Sequence, residues 1–375
     1  ANGSAHAPHQ APKAWIEQFR GKFDHGWDAE RELILARQKA QKVVPEDTRL
    51  ATRPDIVPAW DSLTENQKKV YARFMEVYAA QLSYQDAQFG RIMDELERMG
   101  IADNTLVMFV EGDNGSSAEG SPTGTTNEMA DLSAGKHGIA VDWLADNLDV
   151  LGGPDTYQGF QAGWAFATDT PFPWFKQVAS HLGGTRNGLV VSWPEGITAR
   201  GEVRDQYHHV IDVMPTLLEV VGVDAPDAVG GVKQQPIDGS SMVYSFNDSS
   251  APSSRRTQYY EIHANRAIYH EGWQANTAPH FMPWDMPVVK GSDVTAYDWE
   301  LYHLDEDFSQ SKNLASQYPE KLEALKAVFD AEASKYQVYP LQDEGGQVRG
   351  YKSVQQSGKL PASQYVYWGK GIQLQ

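Results

Sequence analysis

Cysteine is absent from all 375 residues, which excludes disulfides, thiolate metal ligands and a cysteine nucleophile within this stretch. No run of about 18 apolar residues is present either, so no membrane-spanning helix is expected. Positive charge is scarce: 32 lysines and arginines stand against 50 aspartates and glutamates, for a formal net charge of −18. Such a surface repels phosphate backbones and anionic lipid, which disfavours nucleic acid and membrane surfaces as partners. An anionic substrate would therefore need a local cluster of cations. What is plentiful is core-forming material, since 41% of the residues are hydrophobic and 11 are tryptophan. This length exceeds the roughly 250–300 residues at which single cores stop growing, and a change of pattern near residue 250 divides the chain into an α/β unit (1–250) and a small α+β unit (251–375).

Two helices are expected early, one from Trp27 to about Lys42 and a longer one over Glu65–Met99. In the second, Tyr71, Met75, Tyr78, Leu82, Asp86, Phe89, Met93 and Leu96 recur at intervals of three and four, a buried stripe that includes one carboxylate. Gly90 within it predicts a close helix–sheet contact. The apolar run Thr105–Val110 reads as a strand buried on both faces, and helix followed by strand suggests a βαβ unit. Residues 116–165 are rich in Gly, Ser and Asp and read as a long functional loop. A short helix over Pro173–Ser180, a buried strand over Leu189–Trp193 and a helix over Asp212–Val221 stopped by Gly222 follow. Beyond 250, short strands are expected at Tyr259–Ile262, Arg266–Tyr269 and Glu300–Leu304, then an amphipathic helix carrying Leu322, Leu325, Phe329 and Tyr336.

Three segments carry candidate chemistry. Gly112-Asp113-Asn114-Gly115 directly follows the apolar strand, where ligands of α/β sheets gather. Adjacent carboxylate and amide oxygens are hard ligands suited to Ca²⁺ or Mg²⁺, although Asp-Asn-Gly is also a common turn. The second segment is His6-Ala7-Pro8-His9-Gln10-Ala11-Pro12, which by itself could be a polar tail. In the third, Lys176 and His181 precede Gly183-Gly184-Thr185-Arg186-Asn187; they are cationic donors for an oxyanion, or, for Lys176, a solvated surface charge.

In this order and spacing the segments resemble the formylglycine-dependent sulfatases. The resemblance runs along essentially the whole chain, through Gly21-Lys22-Phe23-Asp24, Asn104-Thr105-Leu106, Asp212-Val213-Met214-Pro215-Thr216, Ile237-Asp238-Gly239-Ser240-Ser241 and Glu300-Leu301-Tyr302-His303-Leu304. It implies an alkaline-phosphatase-like α/β fold: a central mixed sheet flanked by helices, incomplete at the amino terminus, with a small carboxy-terminal α+β domain. It further implies a Ca²⁺ ion, or Mg²⁺, held by Asp113 and Asn114 together with carboxylates that lie upstream. His6 matches the family histidine that contacts the sulfate or the leaving-group oxygen. Lys176 lies one residue further from the Gly-Gly pair than the sulfate-binding lysine of many members, and His181 is the second candidate for that role.

The family nucleophile, a formylglycine made in a Cys/Ser-x-Pro/Ala-x-Arg motif, stands upstream of the histidine that His6 matches. This chain opens Ala1-Asn2-Gly3-Ser4 and is expected to be a piece of a longer arylsulfatase, inactive by itself. Ser250-Ala251-Pro252-Ser253-Ser254-Arg255 imitates the motif with its arginine one residue late. The expected partner is a small-molecule sulfate ester, with the aryl preference implied by the resemblance. A phosphomonoester or phosphonate hydrolase of the same superfamily, and a non-catalytic homologue, are the alternatives.

Overall fold

A computed structural model describes residues 6–134, 138–280, 282–285 and 294–341. The expected second unit therefore lies outside the described residues from 342 onward. In chain order, α1 (Lys13–Ile16) and α2 (Gly26–Ala40) lead to α3 (Glu65–Arg98), the longest element. After β1 (Val107–Val110) come the short helices α4 (Glu128–Ala134), α5 (Val141–Asp146), α6 (Ala162–Thr168) and α7 (Leu182–Thr185), then β2 (Leu189–Ser192). Next are α8 (Val213–Val221), the hairpin β3 (Ala228–Val229) and β4 (Val232–Lys233), and α9 (Val243–Phe246). The last elements are β5 (Thr257–Ile262), β6 (Asn265–His270), β7 (Trp273–Thr277), β8 (Trp299–His303) and α10 (Pro319–Lys335).

Helix α3 starts where it does because Thr64 and Gln67 cap it reciprocally. Thr64 Oγ1 accepts from the Gln67 amide at 3.3 Å and Gln67 Oε1 accepts from the Thr64 amide at 2.9 Å. Its first half is almost wholly buried, from Val70 to Tyr78, against α1 and α5. Three tryptophans clamp the neighbouring elements: Trp27 of α2, Trp60 before α3 and Trp164 of α6 meet edge to face at centroid separations of 4.8–5.6 Å. The Trp164 indole also donates to the Tyr71 carbonyl at 2.8 Å, tying α6 to α3. A separate core of Ile268, Ala275, Leu301, Leu325, Phe329 and Ala333 forms where α10 covers the four-stranded antiparallel sheet, ordered β5-β6-β7-β8.

Several expectations are corrected. The stripe of α3 is buried only through its first half; Leu82, Phe89, Met93 and Leu96 are half-buried, and Asp86 is exposed and not a core carboxylate. A side chain at Gly90 would meet nothing within 4 Å, so this glycine marks no close contact. Strands β1 and β2 pair antiparallel, with Val107 opposite Ser192 and Val110 opposite Leu189, so among the described residues β1 enters no βαβ unit. Neither strand is buried on both faces, since Val110 is 45% exposed and Val190 63%. An apolar run reports that a strand prefers cover without saying how many faces receive it. Of the central sheet that the resemblance implies, the described residues hold this pair. Residues 173–180 form turns and no helix, because Trp174 and Gln177 adopt left-handed backbone at φ 65° and 70°.

Candidate functional site

The amino-terminal motif is anchored through His9. Its ring is 1% exposed, lies 4.8 Å from both Tyr78 and Phe160, and burial lowers its basicity to about 3 against the hydrogen bond to His6. Neutral His9 therefore donates from Nε2 to the His6 carbonyl at 2.6 Å, and its backbone amide donates to the Gln158 carbonyl at 2.9 Å. Gln10 adds bonds to the carbonyls of Gly153 and Thr156. The motif is thereby fixed against the 150–160 segment, and His6 is presented at its end.

The Asp-Asn-Gly loop and the Gly-Gly turn touch backbone to backbone. The Gly115 amide donates to the Gly184 carbonyl and the Lys176 amide to the Ser116 carbonyl, each at 3.1 Å. A β-carbon on Gly115 would overlap the Gly183 carbonyl, one on Gly183 the Pro173 carbonyl, and one on Gly184 the Val178 carbonyl. All three obstacles are main chain and cannot swing aside, so glycine is required for this approach.

Side chains of the Lys176 segment, of Ser117 just past the Asp-Asn-Gly loop and of the amino-terminal motif converge on Glu119. Its Oε2 accepts from His6 Nε2 at 2.6 Å, from Lys176 Nζ at 3.0 Å and from Ser117 Oγ at 2.5 Å, while Oε1 accepts from Gln177 Nε2 at 2.5 Å. Burial would raise this carboxyl, but the His6 hydrogen bond and the Lys176 ammonium outweigh it and hold the group at about 2. The same hydrogen bond, opposed by burial, raises the His6 imidazole above its ordinary value.

Glu128 stands on the other side of the ring, with Oε1 3.4 Å from His6 Nδ1 and its side chain 1% exposed. Neither of its oxygens accepts a hydrogen bond among the described residues, and burial pushes its carboxyl up to about 7. Because that proton affinity exceeds the unfolded value of 4.5, the stability Glu128 contributes is full below about pH 4.5 and is lost as pH rises through about 7. Glu128→Gln, which mimics the protonated form, should then stabilise the chain at pH 8 by about 1–3 kcal/mol and leave it unchanged at pH 4. Thermal melts at the two pH values check this; equal shifts at both would overturn it.

His6, Glu119 and Glu128 each offer one ligand atom within 4.8 Å of the others, the donor set of a zinc site. Yet the Lys176 ammonium already occupies Glu119 Oε2, and a dication there would stand against it. The group is a hydrogen-bonded cluster in which His6 and the Lys176 ammonium meet the buried Glu119 carboxylate, with the buried Glu128 carboxyl on the far side of the imidazole.

The other sequence candidates fall elsewhere. His181 is 1% exposed and turned toward the carboxy-terminal sheet, its Nε2 2.8 Å from Glu300 Oε2 on β8 and its Nδ1 2.9 Å from Ser180 Oγ. It acts there as a tie between the two parts of the chain, as does Asn265, which donates to the Gln177 carbonyl at 3.2 Å. Asp113 lies exposed just past β1, and the amide nitrogen of half-buried Asn114 donates to the Gly115 carbonyl at 2.9 Å. The Asn114 oxygen is thus the atom a cation could use. Two hard oxygen donors side by side fit part of a Ca²⁺ or Mg²⁺ shell, which takes six or more ligands. Arg255, the arginine of the motif imitation, is committed to buried Asp212, with Nε 3.0 Å from Oδ2.

Glu119 and Glu128 escaped the sequence reading. They are the only glutamates between 112 and 194, set in a long irregular stretch of small polar residues. That isolation is the signal that could have marked them.

Residues 2–223 match the family model of the sulfatases. An arylsulfatase of Klebsiella aerogenes is 29% identical over 259 residues, covering 68% of this chain and 52% of the relative. An uncharacterized sulfatase of Schizosaccharomyces pombe is 29% identical over 330 residues, covering 85% of this chain and 54% of the relative. The chain thus spans about half the length of these relatives. Among solved structures, the phosphonate monoester hydrolase of Agrobacterium radiobacter is similar with a TM-score of 0.41 at 18% identity, over 86% of this chain and 55% of that one.

Proposed function

Because this chain belongs to the sulfatase family, within the alkaline-phosphatase-like superfamily, we propose that it supplies the anion-binding and part of the metal-binding half of a sulfuric ester hydrolase acting on aryl sulfates. The observation that carries this reading beyond membership is the meeting of His6 and Lys176 on one carboxylate oxygen. Two donors that share an acceptor atom are close enough to reach oxygens of one sulfuryl group. Lys176 would neutralise charge that grows on those oxygens in the transition state. His6, whose basicity is raised, would hold a proton near the departing alcohol or phenol oxygen. Ca²⁺ bound by Asp113 and Asn114, with further oxygens from outside these residues, would draw electron density from the sulfuryl group as a Lewis acid. Without cysteine the chain cannot carry a cysteine-derived formylglycine, so that nucleophile would come from outside the 375 residues.

The test is hydrolysis of 4-nitrophenyl sulfate by the chain as it stands and by a longer protein that adds the nucleophile segment. Turnover is expected only from the longer protein. In that protein Asp113→Ala should abolish Ca²⁺-dependent turnover while circular dichroism and melting stay as before. Turnover by the 375-residue chain that equals the longer protein's, or full activity of the Asp113→Ala protein, would sink the corresponding part of the proposal.

A further inference from the structure

Glu119 is nearly encased, yet its carboxylate is met by four side-chain donors, and only two of them belong to the proposed anion site. The others, Ser117 and Gln177, are neutral and hold the two oxygens from the carboxylate's own turn and from the strained segment around Lys176. That segment keeps non-glycine residues left-handed at Trp174 and Gln177, a conformation that L-residues disfavour because the β-carbon crowds the following carbonyl oxygen. It persists where surrounding contacts over-determine it. Here those contacts are the Gln177 side chain on Glu119 and the Gln177 carbonyl under Asn265.

We propose that Glu119 is the positioning residue of the sulfate site, a fixed carboxylate whose single oxygen orients both His6 and Lys176. This rests on the assignment of those two residues to the sulfuryl group. By accepting the Nε2 proton, Glu119 fixes the ring orientation and decides which imidazole nitrogen keeps its hydrogen, leaving Nδ1 as the variable one. By accepting one ammonium hydrogen it leaves two on Lys176 for an incoming oxyanion. The groups that face His6 are Glu119, Glu128, Lys176 and neutral His9; removing the Glu119 charge leaves Lys176, which lowers the basicity of His6, opposed by Glu128 alone.

The experiment has two arms. In the 375-residue chain labelled with [¹³Cε1]-histidine, the His6 resonance is identified by its loss in His6→Gln and followed through a pH titration. Glu119→Gln should lower its midpoint, and Glu119→Asp, which keeps the charge with a shorter reach, should fall between. In the longer protein, Glu119→Gln should cut kcat for 4-nitrophenyl sulfate by about tenfold or more and move the alkaline limb of the pH profile to lower pH. An unchanged His6 midpoint overturns the proposal, as does a loss of turnover with no displacement of the pH profile, which would mark a merely structural carboxylate. A longer protein that hydrolyses no sulfate ester would instead defeat the functional assignment, and the titration would still decide whether Glu119 governs His6.

Discussion

Lys176→Ala in the longer protein should lower sulfate ester turnover by roughly 10² to 10³, the cost of losing one charged donor to developing negative charge. The side chain is only partly enclosed, 17% exposed, and its loss leaves Glu119 with His6, Ser117 and Gln177 as partners. Folding should therefore survive, and the effect should fall on the rate. Lys176→Arg is an informative companion, because a planar guanidinium keeps the charge without reproducing the compact ammonium. His181→Ala should show the opposite balance: turnover less affected than in Lys176→Ala, and a lower melting temperature because Glu300 and Ser180 lose their shared partner. A rate loss at His181 greater than that at Lys176 would exchange their roles.

Trp164→Ala should destabilise the chain by about 3–5 kcal/mol, measured by denaturant unfolding. The ring is fully buried, packs against Trp27, Trp60 and Phe23, and satisfies the Tyr71 carbonyl. Truncation leaves a large void and removes the donor to a main-chain acceptor inside α3. Because Trp164 joins α6 to α2 and α3, the loss should be cooperative, with one transition shifted. Trp164→Phe should recover part of the stability through packing while still lacking the indole N–H. A change below about 1 kcal/mol for the alanine variant would mean that the clamp does not bear on folding.

What could be read from the sequence were features with local causes. Helix α3 follows from its three-and-four periodicity, and α8 ends at Gly222, which is left-handed at φ 68°. Strands β5, β6 and β8 were visible because branched and aromatic residues cluster in them. Strand β7 was missed since Gln274 and Asn276, which alternate with core-facing Ala275, are fully buried yet polar and look like loop residues in sequence. The turn around Lys176 was mistaken for a helix because its shape depends on left-handed Trp174 and Gln177, which neither residue type prefers. At the site, motif order drew attention to His6 and Lys176. Their meeting point, Glu119, is separated from them by 113 and 57 residues in the chain and has no motif of its own in the sequence reading.

The glycine contact between the Asp-Asn-Gly loop and the Gly-Gly turn has a consequence for how such a site can diversify. Where main chain meets main chain, the spacing of the two segments is independent of the side chains they display. Exchanges at neighbouring display positions can therefore redraw the shape and charge offered to a substrate while the scaffold keeps its dimensions. The three glycines are the invariants of that scheme: a methyl group at any of them pushes apart two backbones that have no other way to yield. Substrate range is free to drift, and the frame that carries it is not.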